Sequence, residues 1–212
     1  WQIPYLPLDP KDIGRNYEAV IRVNSQSGKG GAAWVILRSL GMDLPRSLQM
    51  QFSSVVQDQA DKLGRELKTE EIVDLFGKHY MYTGTATIKL DDYTNSKAKG
   101  GDSTSRDIAA TLTVGGNSVD IAGQGNGPIS AFISAVAKEF GMLFEVVNYN
   151  EHSLGTGTQD KAATYIEVSF LDSTGQKATR WGCGVATDTN ESSFKAIISI
   201  LNGLIKDGEI HI

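Results

Sequence analysis

The spacing of apolar residues alternates between helical and strand-like periods along the chain. Ala32 to Leu40 has helical character and ends at Gly41, a residue suited to closing a helix. Pro45 opens a second helix, in which Leu48, Phe52, Val55, Val56 and Leu63 fall on one stripe near a 3.6-residue period. A third is predicted from Thr69 as N-cap, Glu70 and Glu71 in the first turn, and an apolar face of Ile72, Val73 and Phe76. Ahead of these, Ala19 to Val23 reads as a short strand or buried extended run, followed by a polar turn from Asn24 to Gly31. Residues 14–80 thus form a mostly helical unit of about three helices. Its core is thin for a free-standing domain, so it is expected to pack on a partner surface.

After Tyr82 the period shortens towards 2. Thr85 to Leu90 alternates like a strand, and the polar stretch Asp91 to Ser105 reads as a loop. Ile108 to Val114 and Ser118 to Ile121 form a hairpin around Gly115-Gly116-Asn117. Gly123-Gln124-Gly125-Asn126-Gly127-Pro128 then reads as a turn that opens a helix carrying Ile129, Phe132, Ile133, Val136, Ala137 and Phe140, stopped by Gly141.

The second half repeats this order. Phe144 to Tyr149 is a strand, a glycine-threonine loop runs to Asp160, and Thr164 to Leu171 and Lys177 to Cys183 flank a turn at Ser173 to Gln176. Gly182 to Gly184 is the matching glycine turn, and a helix with Phe194, Ile197, Ile198, Leu201 and Leu204 follows. Two such units can face their helices and close one core. The predicted class is α+β: a small helical subdomain followed by two β3α repeats related by pseudo-symmetry.

Composition narrows the function classes without choosing one. The 212 residues are 40% hydrophobic and 21% charged, which suits a folded domain and argues against wholesale disorder. A net charge of −5 disfavours an electrostatic nucleic-acid or membrane-surface binder. A single cysteine, Cys183, provides neither an internal disulfide nor a cysteine-rich zinc site. No apolar run approaches the roughly 20 residues of a bilayer span, and no basic-then-apolar leader opens the chain. Three of the five prolines lie in Trp1 to Pro10, which forces extended backbone and would leave Trp1, Ile3 and Tyr5 exposed in water. This start is expected to be a connector from something upstream, and the chain a fragment.

Candidate chemistry is sparse. Ser27-Gly28-Lys29-Gly30-Gly31 suggests a phosphate loop, but Val23 stands where that motif needs glycine and Gly30 where it needs Ser or Thr. It is either a structural turn or an anion-holding helix end. The glycines from Gly123 to Gly127 are the sharper site, since they allow close backbone approach and Pro128 suits the first helical position. A helix N-terminus there favours a carboxylate or phosphate. With Ile129 and Phe132 as apolar walls, the ligand described is an apolar amino acid or a small keto acid, unless the glycines merely close a tight connection. His79, His152 and His211 lie far apart in sequence, and Glu151-His152 could suggest acid–base work, although a lone loop histidine is more often a hydrogen-bonding or surface residue. No nucleophile–base, paired-carboxylate or HExxH pattern appears.

A resemblance adds to this. Tyr5-Leu6-Pro7-Leu8-Asp9-Pro10, Tyr17 to Gly31, Leu44-Pro45-Arg46, Gly125-Asn126-Gly127-Pro128, Glu151-His152 and Trp181-Gly182 together resemble the long, bacterial and fungal 2-isopropylmalate synthases. That family condenses acetyl-CoA with 3-methyl-2-oxobutanoate in leucine biosynthesis, using a divalent metal in an N-terminal (β/α)8 barrel. The resemblance implies a connector over residues 1–16, a helical linker subdomain over 17–82 and a leucine-binding regulatory domain over 83–212, with the barrel upstream. The metal would lie in that barrel, so no cofactor and no turnover are expected of this chain.

By the same resemblance, L-leucine would sit against Gly125, Asn126, Gly127, Pro128, Ile129 and Ser130. Val146, Tyr149, Ser153, Asp160, Ala162 and Val185 would form the opposing wall, with Asp160 or backbone carbonyls holding the ammonium. Ser153 and Asp160 stand where the family pattern has small apolar residues. Tyr17 matches a tyrosine that relays inhibition to the partner subunit's active site. The implied partners are L-leucine, a second copy of the chain and the catalytic domain, with no nucleic acid or membrane. The implied location is cytoplasmic for a bacterial source, and mitochondrial or cytoplasmic for a fungal one. Set against this reading is an assembly or interdomain module with weak or lost leucine binding; a stand-alone enzyme lacks a visible metal site.

Overall fold

A computed structural model describes residues 30–82, 84, 86–98, 105–155, 157 and 160–212. The 1–16 connector, the 19–23 strand, Tyr17 and Ser27-Gly28-Lys29 lie outside them. The helical unit comprises α1 (Gly31–Leu40), α2 (Arg46–Leu63), α3 (Thr69–Phe76) and a π-helical turn over Gly77–Met81. Gly41 and Gly64 close α1 and α2 in the left-handed region. Leu48, Phe52, Val56 and Ala60 are the buried stripe of α2. Leu63, expected on that stripe, is 46% exposed, because Ala60 already fills the last inward position. Thr69 is not the cap of α3: Lys68 holds that position, and its N–H donates to Glu71 Oε2 at 2.8 Å.

Two three-stranded antiparallel sheets follow, ordered β1-β2-β3 and β4-β5-β6. The first is β1 (Ile88–Lys97), β2 (Arg106–Val114) and β3 (Asn117–Gly125), leading into α4 (Pro128–Phe140). The second is β4 (Glu145–Ser153), β5 (Ala162–Leu171) and β6 (Lys177–Ala186), leading into α5 (Thr189–Lys206). The α+β class and the doubled β3α order match the sequence pattern. Gly115 and Gly116 both take positive φ, as a two-residue hairpin turn between twisted strands requires.

Two expectations need correcting. Asp91 to Lys97 is strand, not loop, paired with β2 through Lys97 opposite Arg106. As an edge strand it exposes much of both faces, so its side chains are polar without alternation. Nor are Gly123, Gly125, Gly182 and Gly184 turn residues; all four lie in β3 or β6. A Cβ at Gly123 would lie 2.5 Å from the Ala135 nitrogen, and one at Gly184 2.6 Å from the Ala196 nitrogen. The glycines let each helix settle directly onto its third strand.

One apolar core joins both repeats. Ile108, Leu112 and Ile121 meet Phe132 and Val136 of α4, then Ile166, Val168, Phe194, Ile197 and Leu201 across the divide. Phe132 stacks on Phe194 with ring centroids 4.3 Å apart. The outer face of the second sheet is covered too: Ala163, Tyr165, Trp181 and Cys183 pack against the three helices. That sheet is the partner surface the thin helical unit needed. It also makes β5 buried on both sides, Thr164 and Ser169 included.

Two polar groups pin the joints. Asn202 of α5 is buried; its Oδ1 accepts from the Thr87 and Ile88 N–H groups and its Nδ2 donates to the Ile88 and Ile198 carbonyls. Arg180 donates to the Tyr82 hydroxyl at 2.7 Å and to Asp207, tying the π turn to β6 and α5.

Gly184→Ala is expected to lower stability by about 3 kcal/mol, since the obstructing atoms are helix backbone. Asn202→Ala leaves several buried groups unpaired and should cost roughly 3 kcal/mol. Urea unfolding of each variant measures both.

Candidate functional site

Helix α4 starts abruptly. Gly127 occupies its cap position, Pro128 is the first helical residue, and no side chain caps the end. The first intrahelical N–H bond runs from Ala131 to the Gly127 carbonyl at 2.9 Å. The Ile129 and Ser130 amides therefore precede the hydrogen-bonded ladder at the positive end of the helix.

This end opens on a pocket of about 570 Å³ lined by Asn126, Gly127, Pro128, Ile129, Ser130, Ile133, Phe144, Val146 and Tyr149. Its walls are mainly apolar: Ile129 and Ile133 are one helical turn apart, while Phe144 and Val146 are two apart along an extended chain. Tyr149 is the polar counterpart across from the helix end. Its hydroxyl donates to Glu151 and lies 3.3 Å from Ser193 Oγ. Its pKa is raised, first by burial and then by the bond to Glu151. An acceptor-rich apolar ligand with a carboxylate suits such a lining.

The structure brings Asn126, Gly127, Pro128, Ile129, Ser130, Val146 and Tyr149 to this pocket. Gly125, Ser153, Asp160, Ala162 and Val185 are off its lining, and so is Phe132, expected as an apolar wall but turned into the core against Phe194. Gly125 is the last residue of β3, directed at the α4 backbone. Ser153 ends β4 and donates to the Gly155 carbonyl. Asp160 accepts from the Gly157 N–H, within its own loop. Ala162 pairs between Ser153 and Ala186. Val185 packs towards the helical unit. Ile133 and Phe144 also line the pocket, and nothing in the sequence marks them as site residues. The helical period carried Ile133, and alternation from Val146 carried Phe144, but neither says which face meets a ligand.

His152 is a hydrogen-bonding residue. Its Nε2 accepts from the Asp43 N–H at 3.1 Å and lies 2.9 Å from the Tyr165 hydroxyl, joining β4 to the α1–α2 connection. Cys183 is buried, and burial pushes its thiol pKa up. Among the described residues no three His, Cys, Asp or Glu side chains converge to hold a metal ion. No described helix is long and apolar enough to cross a membrane.

Comparison with known proteins places this arrangement. Residues 66–205 match the LeuA allosteric (dimerisation) domain, and residues 1–37 match the alpha-isopropylmalate synthase post-catalytic domain. The chain belongs to the 2-isopropylmalate synthase family. It is 52% identical to 2-isopropylmalate synthase of Saccharomyces cerevisiae, over the whole chain and 34% of that protein. It is 48% identical to 2-isopropylmalate synthase 2, mitochondrial, of the same yeast, over 99% of the chain and 35% of the relative. The enzyme of Mycobacterium leprae is 41% identical over 95% of the chain and 32% of its own length. The chain thus spans about a third of these synthases, corresponding to their C-terminal part. The pocket falls inside the segment that matches the allosteric domain.

Proposed function

We propose that the α4 pocket binds L-leucine and that its occupancy regulates a 2-isopropylmalate synthase of which this chain is the C-terminal part. The observation that carries the reading is the coincidence of an uncapped helix N-terminus with aliphatic walls, inside the domain matched as allosteric. The Ile129 and Ser130 amides face the carboxylate. Ile129, Ile133, Phe144 and Val146 enclose the isobutyl group. Asp160 is engaged with Gly157, so the ammonium falls to the Tyr149 hydroxyl and the Asn126 side chain.

The chain contributes regulation and leaves condensation of acetyl-CoA with 3-methyl-2-oxobutanoate to the rest of the synthase. Because the matched domain is also described as a dimerisation domain, a second copy is the expected partner. Val146 and Tyr149 of the pocket wall and Val147 between them are exposed on β4, an edge strand, so ligand and partner would meet along that strand. A ligand that binds one dimer arrangement better than another shifts the balance by its differential affinity, typically about 1–3 kcal/mol.

L-leucine is expected to raise the melting temperature of the chain, corresponding to about 2.7 kcal/mol at a hundredfold excess over Kd. D-leucine and glycine should have no such effect. Ile133→Trp, which fills the aliphatic part of the pocket, should abolish the response in a folded protein. A flat response of the unmodified chain to millimolar L-leucine sinks the proposal. Sedimentation with and without L-leucine checks the second copy: a dimer indifferent to the amino acid favours a purely structural module.

A further inference from the structure

The two repeats provide an internal comparison for the pocket. Each first strand carries a bulge, between Leu90 and Asp92 in β1 and between Val146 and Asn148 in β4. Tyr93 and Tyr149 follow these bulges at the same spacing. Gly123 meets Ala131 and Ala135 of α4 just as Gly184 meets Ser192 and Ala196 of α5. Counting from those glycines, the helix caps are Gly127 and Asp188. The pocket lies between the α4 N-terminus and β4, so its counterpart lies between the α5 N-terminus and β1.

That counterpart is closed by the chain itself. Asp188 Oδ1 accepts from the Glu191 N–H at 2.9 Å and from the Tyr93 hydroxyl at 2.8 Å. The Tyr93 ring meets Phe194 edge-on at 5.0 Å. Helix α5 packs along β1, whereas α4 stands off from β4. The Glu191 N–H, followed by the Tyr93 hydroxyl, holds the Asp188 carboxyl below the usual carboxylate range. Burial and the bond to Asp188 push Tyr93 up to about 12.

We propose that Asp188 is a built-in occupant of the second position, so that the domain has one open carboxylate site per chain, kept open by the missing side chain at Gly127. Geometry does not demand glycine there. Its φ of 176° is ordinary extended backbone, and a Cβ would meet nothing within 4 Å. A carboxylate at 127 has room to cap α4 as Asp188 caps α5, and it would take the place of the ligand's own. This inference rests on the pocket being an amino-acid site.

The test pairs Gly127→Asp with Asp188→Gly in the full chain, using thermal melts and titration calorimetry with L-leucine. Unmodified protein should bind one leucine per chain. Gly127→Asp should melt higher without ligand and lose about tenfold or more in affinity. Gly127→Asn, a cap without charge, should show both effects more weakly. Asp188→Gly should melt lower yet bind leucine at the α4 pocket as before, the Tyr93–Phe194 contact still filling the second position. Two leucines on the unmodified chain, or a Gly127→Asp protein that melts lower or binds normally, overturns the inference. If the unmodified chain binds no leucine, the pocket assignment fails; the ligand-free melts then still decide whether the two caps differ as described.

Discussion

Everything in the two-repeat domain depends on how closely each helix lies on its third strand. Gly123 and Gly184 sit where any side chain would strike helix backbone. Interiors are packed at near-crystalline density, so such a contact cannot be eased by moving a single side chain. It sets the depth of α4 and α5, and with it the Phe132–Phe194 stack at the centre of the shared core. It also fixes where each helix begins, and therefore where its unpaired amides point.

From that common frame the repeats diverge at their exposed ends. Helix α5 is drawn onto β1 by the Asn202 bonds near one end and by Tyr93 and Asp188 at the other. Residue 141, where a matching clamp on α4 would fall, is the glycine that ends the helix. Left unclamped, α4 keeps its distance from β4, and the space between them is the pocket. The same β4 strand meets the helical unit through His152 and Asp43, so the pocket wall and the subdomain contact share one strand.

Where burial is one-sided, the sequence read well. The stripe on α2, the hairpin at Gly115-Gly116 and the apolar face of α4 all follow from periodicity and turn chemistry. Local pattern is silent where neighbours decide. The polar run after Leu90 is a strand because β2 supplies its hydrogen-bond partners, which no local pattern reveals. The glycines near Gly123 and Gly182 look like turns because glycine is the same in sequence whether it bends a chain or makes room for a helix.

Local order thus belonged to the sequence: the class, the doubled β3α arrangement, the family resemblance and the glycine-proline start of α4. Only the tertiary structure decided which residues share a wall. Ile133 and Phe144 join the pocket, while Ser153, Asp160, Ala162 and Val185 do not line it, because strand register and helix depth determine those distances. Those quantities come from contacts between residues far apart in the chain, and local periodicity carries no information about them.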